Sequence, residues 1–285
     1  MTREEFKKRT AEGILLGDGA TGSNMMKAGM PKGVCTEKWI CDHPQVIIDL
    51  KHAYMDAGSQ VISVPTFTAN RINLTRHGLQ DQTREINSTL MQIGRETVRE
   101  GIYLNASVTT TSRIDEDYGR LLDAYEEQIS IIAEGGADYV TAATMLGLEE
   151  TMAAVEACRS VCDLPICCAL TIESDGSLFY GGNIFDAVET LAEMGADAVG
   201  INCSTGPDKL ESVVRNMKER VDIPVIAIPN AGMPTISDKG EAIYPMGPDE
   251  YAKYMKVLVE AGARIIGGCC GTTPEYIRKV AETCL

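Results

Sequence analysis

The chain has 285 residues, 44% of them hydrophobic and 24% charged, which suits a soluble globular fold with a large core. A formal net charge of −15 repels nucleic acid and anionic lipid and argues against both as partners. No apolar run approaches the roughly 18 residues of a membrane span. The charged N-terminus MTREEFKKRTAEGILLGDG lacks an export-signal pattern, so a cytoplasmic location is expected. In that reducing setting the ten cysteines are read as buried packing, metal ligands or reactive thiols, not as a disulfide framework.

In chain order, a first strand is expected near Ile14. It is followed by an irregular stretch, Met25–Asp42, which forms a lid or an extra short helix, and by a helix near Pro44–Ala57. Strands follow near Val61, Ile102 and Tyr139, with helical periodicity over Leu121–Ala133 before the last of these. Four more begin near Ile166, Ala198, Val225 and Ile265, separated by segments such as Ile184–Met194 and Pro248–Glu260. A final helix opens at Thr273 and Pro274.

One pattern recurs: a helix end, a glycine-containing turn and an apolar run. It appears in DAGSQVISV (56–64), EGGADYVTA (134–142), EMGADAVGI (193–201) and EAGARIIGG (260–268). Glycine suits the position just past a helix because it takes positive φ without penalty. CDLPICCAL (162–170) and VDIPVIAIP (221–229) repeat another helix-to-strand entry in which proline stops the helix. Continuous rather than alternating apolar runs mark strands covered on both faces. Eight such βα units predict one (β/α)8 barrel domain over residues 1–285. The rival, an open doubly wound sheet, lacks any GxGxxG or Walker-type loop after a strand.

Chemistry in such a barrel sits at the C-terminal strand ends. Cys203 closes the sixth strand in GINCS, and Cys269 and Cys270 close the eighth in GGCCG. Strands of the same parity share an interior layer, about 10 Å apart, a gap that thiols from both sides with metal–sulfur bonds of about 2.3 Å can span. Adjacent residues on a regular strand face opposite ways, so Cys269 and Cys270 converge only if the backbone bends, as Gly267, Gly268 and Gly271 allow. A three-thiolate set with an open fourth position suits a catalytic Zn2+. Coordination strips a substrate thiol of its proton, making it a nucleophile for a methyl group.

The remaining cysteines carry weaker signals. Cys167 and Cys168 read as core packing. Cys158 and Cys162, i,i+4 on a helix, could clip a metal but read first as packing, and Cys35, Cys41 and Cys284 have no partners at ligand spacing. His43, His52 and His77 form no pair, which leaves a Ser/His/Asp or Cys/His hydrolase without support.

GINCS (200–204), PNAG (229–232), GGCCGTTPE (267–275), LLGDGATGS (15–23) and PTFTAN (65–70) together resemble the homocysteine S-methyltransferase family over nearly the whole chain. The likeness is nearest to the homocysteine-binding module of cobalamin-dependent methionine synthases. The resemblance implies a barrel in which Cys203, Cys269 and Cys270 hold zinc and act in catalysis. It places Asp18, Thr66, Thr144, Asn202 and Asn230 in the substrate pocket.

Two departures stand out. Family members usually carry Glu-Thr at the end of the fourth strand, where the carboxylate holds the substrate's α-ammonium; TAATM has Ala143 there and keeps only Thr144. NASVTTTS (105–112) replaces the family's acidic, glycine-rich turn after the third strand. Either the thiol is not homocysteine, or Glu149, Glu150, Glu173 or a group from Met25–Asp42 supplies the missing charge. The expected activity is zinc-dependent methylation of homocysteine or a related thiol. The expected donor is methylcobalamin carried by a separate corrinoid protein, with a betaine or S-methylmethionine as the alternative. A demethylase on the same scaffold and a non-catalytic zinc barrel are the competing readings.

Overall fold

A computed structural model of the chain describes residues 1–237 and 242–285. Eight parallel strands form a nearly closed barrel: Leu15–Leu16, Val61–Val64, Tyr103–Thr109, Tyr139–Met145, Ile166–Leu170, Ala198–Asn202, Val225–Ile228 and Ala263–Ile266. The expected barrel is therefore present, with each strand at the predicted place except the eighth, which starts two residues early. Every ladder of the barrel is parallel, and helices alternate with the strands around the outside. Gly58, Gly136, Gly195 and Gly262 all adopt positive φ between a helix and the next strand, as the recurring turn requires.

The barrel has a seam. The first strand ladders with the eighth but not with the second. There the Gln60 N–H donates to the Leu16 carbonyl at 2.8 Å, and the Leu16 N–H donates to Gln60 Oε1 at 3.1 Å. Side chains thus complete a junction that main-chain bonds complete elsewhere.

Two apolar clusters divide the core. The larger lies between sheet and helices; the smaller fills the barrel's lower interior with Leu15, Val61, Tyr139, Cys167, Ile226 and Ile265. An N-terminal helix, Arg3–Glu12, closes this lower end. Thr2 and Glu5 form a capping box at its start, and buried Phe6 packs on Tyr139 with ring centroids 5.3 Å apart. Cys167 belongs to the interior cluster and Cys168 to the outer one. Both are core residues, as expected.

Two local expectations are met with added detail, and a third, the placing of Cys162 on a helix, is corrected. The Met25–Asp42 stretch holds two short helices, Gly22–Lys27 and Thr36–Asp42. The terminal helix Pro274–Cys284 has Thr273 at its N-cap position, but the Thr273 side chain makes no capping bond. Cys162 lies outside the helix that carries Cys158, which ends at Val161.

Candidate metal centre

Above the apolar floor the barrel interior turns polar. Thr141 Oγ1 donates to Asn105 Oδ1 at 2.9 Å, Asn105 Nδ2 reaches Ser63 Oγ at 3.4 Å, and Ser63 Oγ donates to Asp18 Oδ1 at 3.0 Å. The Asp18 carboxylate also accepts the Ser63 N–H at 2.9 Å and the Lys51 ammonium at 2.6 Å. Lys51 lies on the helix Pro44–Asp56, whose other inward residues include Ile47 and Tyr54. Both charges are buried, so each depends on the other. Lys51 was missed in the sequence, although a lysine on an otherwise apolar helix face was the available signal.

The three cysteines converge at the top. The Sγ atoms of Cys203, Cys269 and Cys270 all lie within 4.8 Å of one another, with Cys203 and Cys270 at 3.5 Å. Cys203 stands one residue past its strand at φ 51°, an uncommon backbone state for a side-chain-bearing residue. Its N–H donates to the Ile228 carbonyl, and the Cys269 N–H donates to the Pro229 carbonyl at 2.8 Å. The bend after Cys270 uses Gly271 at φ 86°; a Cβ there would strike the Tyr244 ring. Tyr244, whose hydroxyl bonds to the Cys270 sulfur, gave no signal in the sequence.

Asn230 ties the two cysteine-bearing strand ends together. Its Oδ1 accepts the Cys270 N–H at 3.0 Å, and its Nδ2 donates to the Ser204 carbonyl at 2.8 Å. Tyr251 adds a second tie, donating its buried hydroxyl between the Pro229 and Gly267 carbonyls.

The thiols share charge unevenly. Hydrogen bonds from Cys203 and Cys269 hold the Cys270 thiol far below its ordinary range, at about 3. Hydrogen bonding to Cys203 and Cys270, with burial, pushes Cys269 well up. Cys203 is drawn down by Cys269 but pushed further up by Cys270 and by burial, to about 12. The trio presents three sulfur donors to any soft cation placed among them.

Across the mouth, Thr144 stands at φ 56° on a register break in the fourth strand. Its N–H donates to Asn202 Oδ1 at 2.7 Å, and Asn202 Nδ2 donates to Thr144 Oγ1 at 2.8 Å. Thr66 is fully buried and donates to the Ser107 carbonyl at 2.8 Å. Ala143 has the parity of Thr141, so its methyl faces the interior. Of the carboxylates considered as substitutes for a charge there, Glu149 and Glu173 are exposed, and Glu150 and Glu37 are engaged elsewhere. Glu150 is buried and accepts from Thr110, from the Thr111 N–H and Oγ1 at 2.6 and 2.8 Å, and from Tyr125 at 2.9 Å. Glu37, from the Thr36–Asp42 helix, accepts both the N–H and hydroxyl of Thr68.

The structure is a (β/α)8 barrel with three thiols gathered at its C-terminal strand ends, a donor set able to hold one metal ion. The chain belongs to the homocysteine S-methyltransferase family, whose profile matches residues 15–284. It is 31% identical over 293 residues to methionine synthase from Mycobacterium leprae (strain TN), a match covering 95% of this chain and 24% of that protein. The chain thus spans about a quarter of the length of the methionine synthases it matches. It is 26% identical to S-methylmethionine–homocysteine S-methyltransferase BHMT2 from Pongo abelii, covering 94% of this chain and 78% of that one. Its fold superposes on the metallated form of the homocysteine methyltransferase MmuM from Escherichia coli with a TM-score of 0.81, at 21% identity over 95% of this chain and 96% of that one. No helix of the described residues is long and apolar enough to cross a membrane.

Proposed function

We propose that this enzyme methylates a thiol at a zinc ion held by Cys203, Cys269 and Cys270. The observation that carries the reading is the convergence of three thiols from two strands. Sulfurs bound to one zinc ion at about 2.3 Å in a tetrahedron stand about 3.8 Å apart, so the 3.5 Å between Cys203 and Cys270 needs little adjustment. When bound, zinc supplies the positive charge that keeps a substrate thiol deprotonated near neutral pH.

The protein's own residues do the rest. Asn230 and Tyr251 fix where the sulfurs stand, and the Tyr244 hydroxyl moderates the charge on Cys270. The Thr144–Asn202 pair and Asp18 shape the mouth beside them, with Thr66 buried behind, and are assigned to the substrate pocket. With Ala143 at the interior and Glu150 and Glu37 already engaged, the pocket favours a thiol that lacks a free α-ammonium over homocysteine itself.

The donor in this reading is a methyl-corrinoid carried by a separate protein, in keeping with the likeness to methionine synthases. The rim supports a macromolecular donor. Among the described residues, Met26, Ile114, Phe179, Met233, Ile236 and Ile243 are exposed large apolar side chains, and all follow a strand end on the catalytic face. The likeness to BHMT2 favours a small onium donor such as S-methylmethionine as the second reading. Incubating the zinc-loaded enzyme with methylcobalamin or S-methylmethionine and a panel of thiols, then measuring the thioether formed, tests both. No thioether from any pairing, with no change in zinc X-ray absorption on adding thiol, would overturn the proposal.

A further inference from the structure

A second pair of thiols lies at the opposite end of the barrel, on the segment that leads into the fifth strand. Cys158 is buried near the end of the helix Leu148–Val161, and partly exposed Cys162 stands one residue beyond it. On a regular helix, i and i+4 Cβ atoms are about 5–6 Å apart, too far for a disulfide, which needs roughly 3.5–4.5 Å. Here Cys162 has left the helix with extended backbone, φ −159° and ψ 168°. Its N–H still donates to the Cys158 carbonyl at 3.0 Å. The two sulfurs consequently sit 3.8 Å apart, so closing to a bond length of about 2.05 Å requires only about 1.8 Å of movement.

The surroundings are asymmetric in the way an attacking and a resolving thiol need. The Cys158 sulfur faces inward and bonds to the Leu164 carbonyl. Cys162 opens onto a cleft of about 500 Å³ formed with Met1, Arg3, Ala133 and Leu164. The hydrogen bond from Cys158 lowers the Cys162 thiol to about 6, assisted by Arg159, whereas bonding to Cys162 and burial raise Cys158.

We propose that Cys158 and Cys162 form a reactive dithiol that takes a low-molecular-weight disulfide from this cleft and closes to an internal disulfide. The Cys162 thiolate attacks one sulfur of the incoming disulfide and expels the other as a thiolate, leaving a mixed disulfide. Cys158 then loses its proton and attacks the Cys162 sulfur, expelling the second thiolate. The pair is oxidised by two electrons, and the incoming disulfide is reduced to two thiols.

The test treats the zinc-loaded protein with oxidised glutathione near pH 7, quenches it with acid and locates modified cysteines by peptide mass mapping. The expected product is a Cys158–Cys162 disulfide in the unsubstituted protein. Cys158→Ser should instead retain glutathione on Cys162, and Cys162→Ser should leave Cys158 unmodified. In the reduced protein, Cys162 should alkylate at least about tenfold faster than Cys41 or Cys284, whose thiols burial pushes up to about 11. Cys162→Ala and Cys158→Ala serve if a serine variant fails to fold. Alkylation of Cys162 no faster than that of Cys284, or glutathione on Cys41 or Cys284 while residues 158 and 162 remain thiols, would overturn the proposal. Neither readout depends on methyl transfer.

Discussion

Replacing Ala143 with glutamate should redirect the enzyme toward homocysteine. Ala143 is 9% exposed and sits on the interior face between Thr109 and Ala169 of the neighbouring strands. An α-ammonium brought there meets the Thr144–Asn202 pair, whose amide and hydroxyl groups are engaged with each other. Asp18 is committed to Lys51, and Glu150 to three neighbouring residues. Leaving a buried ion without its partner costs about 3–5 kcal/mol. The mouth is open to water, so the lower end of that range applies, about two powers of ten in affinity. The assay compares steady-state kcat/KM for homocysteine, 3-mercaptopropionate and 2-mercaptoethanol in both proteins. Ala143→Glu should raise the ratio of homocysteine to 2-mercaptoethanol by about a hundredfold, with thermal melts confirming that the variant is folded. A preference for homocysteine of a hundredfold or more in the unsubstituted protein would refute the reasoning.

Other outcomes follow from the same geometry. Cys203→Ala should lose tight zinc binding, measured by metal analysis after dialysis, while circular dichroism shows the barrel intact. Full zinc occupancy in a Cys203→Ala, Cys269→Ala, Cys270→Ala triple variant would sink the ligand assignment. Asn230→Ala removes both side-chain hydrogen bonds by which Asn230 joins the cysteine-bearing strand ends and leaves the Tyr251 tie in place, so zinc affinity should fall by about 10–100-fold in competition with a chelator. Lys51→Met leaves the Asp18 carboxylate buried without its cation and should cost about 3–5 kcal/mol in a urea titration; an unchanged midpoint would mean Asp18 is solvated by other means.

Much of the barrel was legible because parallel strands bury both faces and so read as unbroken apolar runs, and because a glycine with positive φ marks each of four helix-to-strand turns. The convergence of Cys203 with Cys269 and Cys270 could be argued from strand parity alone. What parity could not show is that Cys203 stands past its strand in a left-handed backbone state, since Ser204 and Thr205 carry no glycine-like signal for it. The helix Arg3–Glu12 escaped notice because it buries only Phe6 and Thr10, too few to set a period. The two-residue strands Thr235–Ile236 and Ala242–Ile243 pair antiparallel, with all four residues exposed, and leave no alternation to read. The roles of Lys51 and Asn230 depend on partners 33 and 40 residues away, distances at which one sequence offers no pairing rule.

The seam between the first and second strands gives the barrel a buckle. Elsewhere the ring is continuous belt, each strand joined to the next by a ladder. At the buckle the fastening is one main-chain bond, reinforced by Gln60, Ser59 and the Asp18 carboxylate gripping Ser63. Because the Asp18 carbonyl also accepts the Gly268 N–H, the buckle is stitched directly to the loop that carries Cys269 and Cys270. The eight strands, joined by seven ladders, close into a ring across the seam where Asp18 meets Ser63, and the same residue holds Gly268. The fastening that completes the ring is also the one that brings the last two sulfurs to rest.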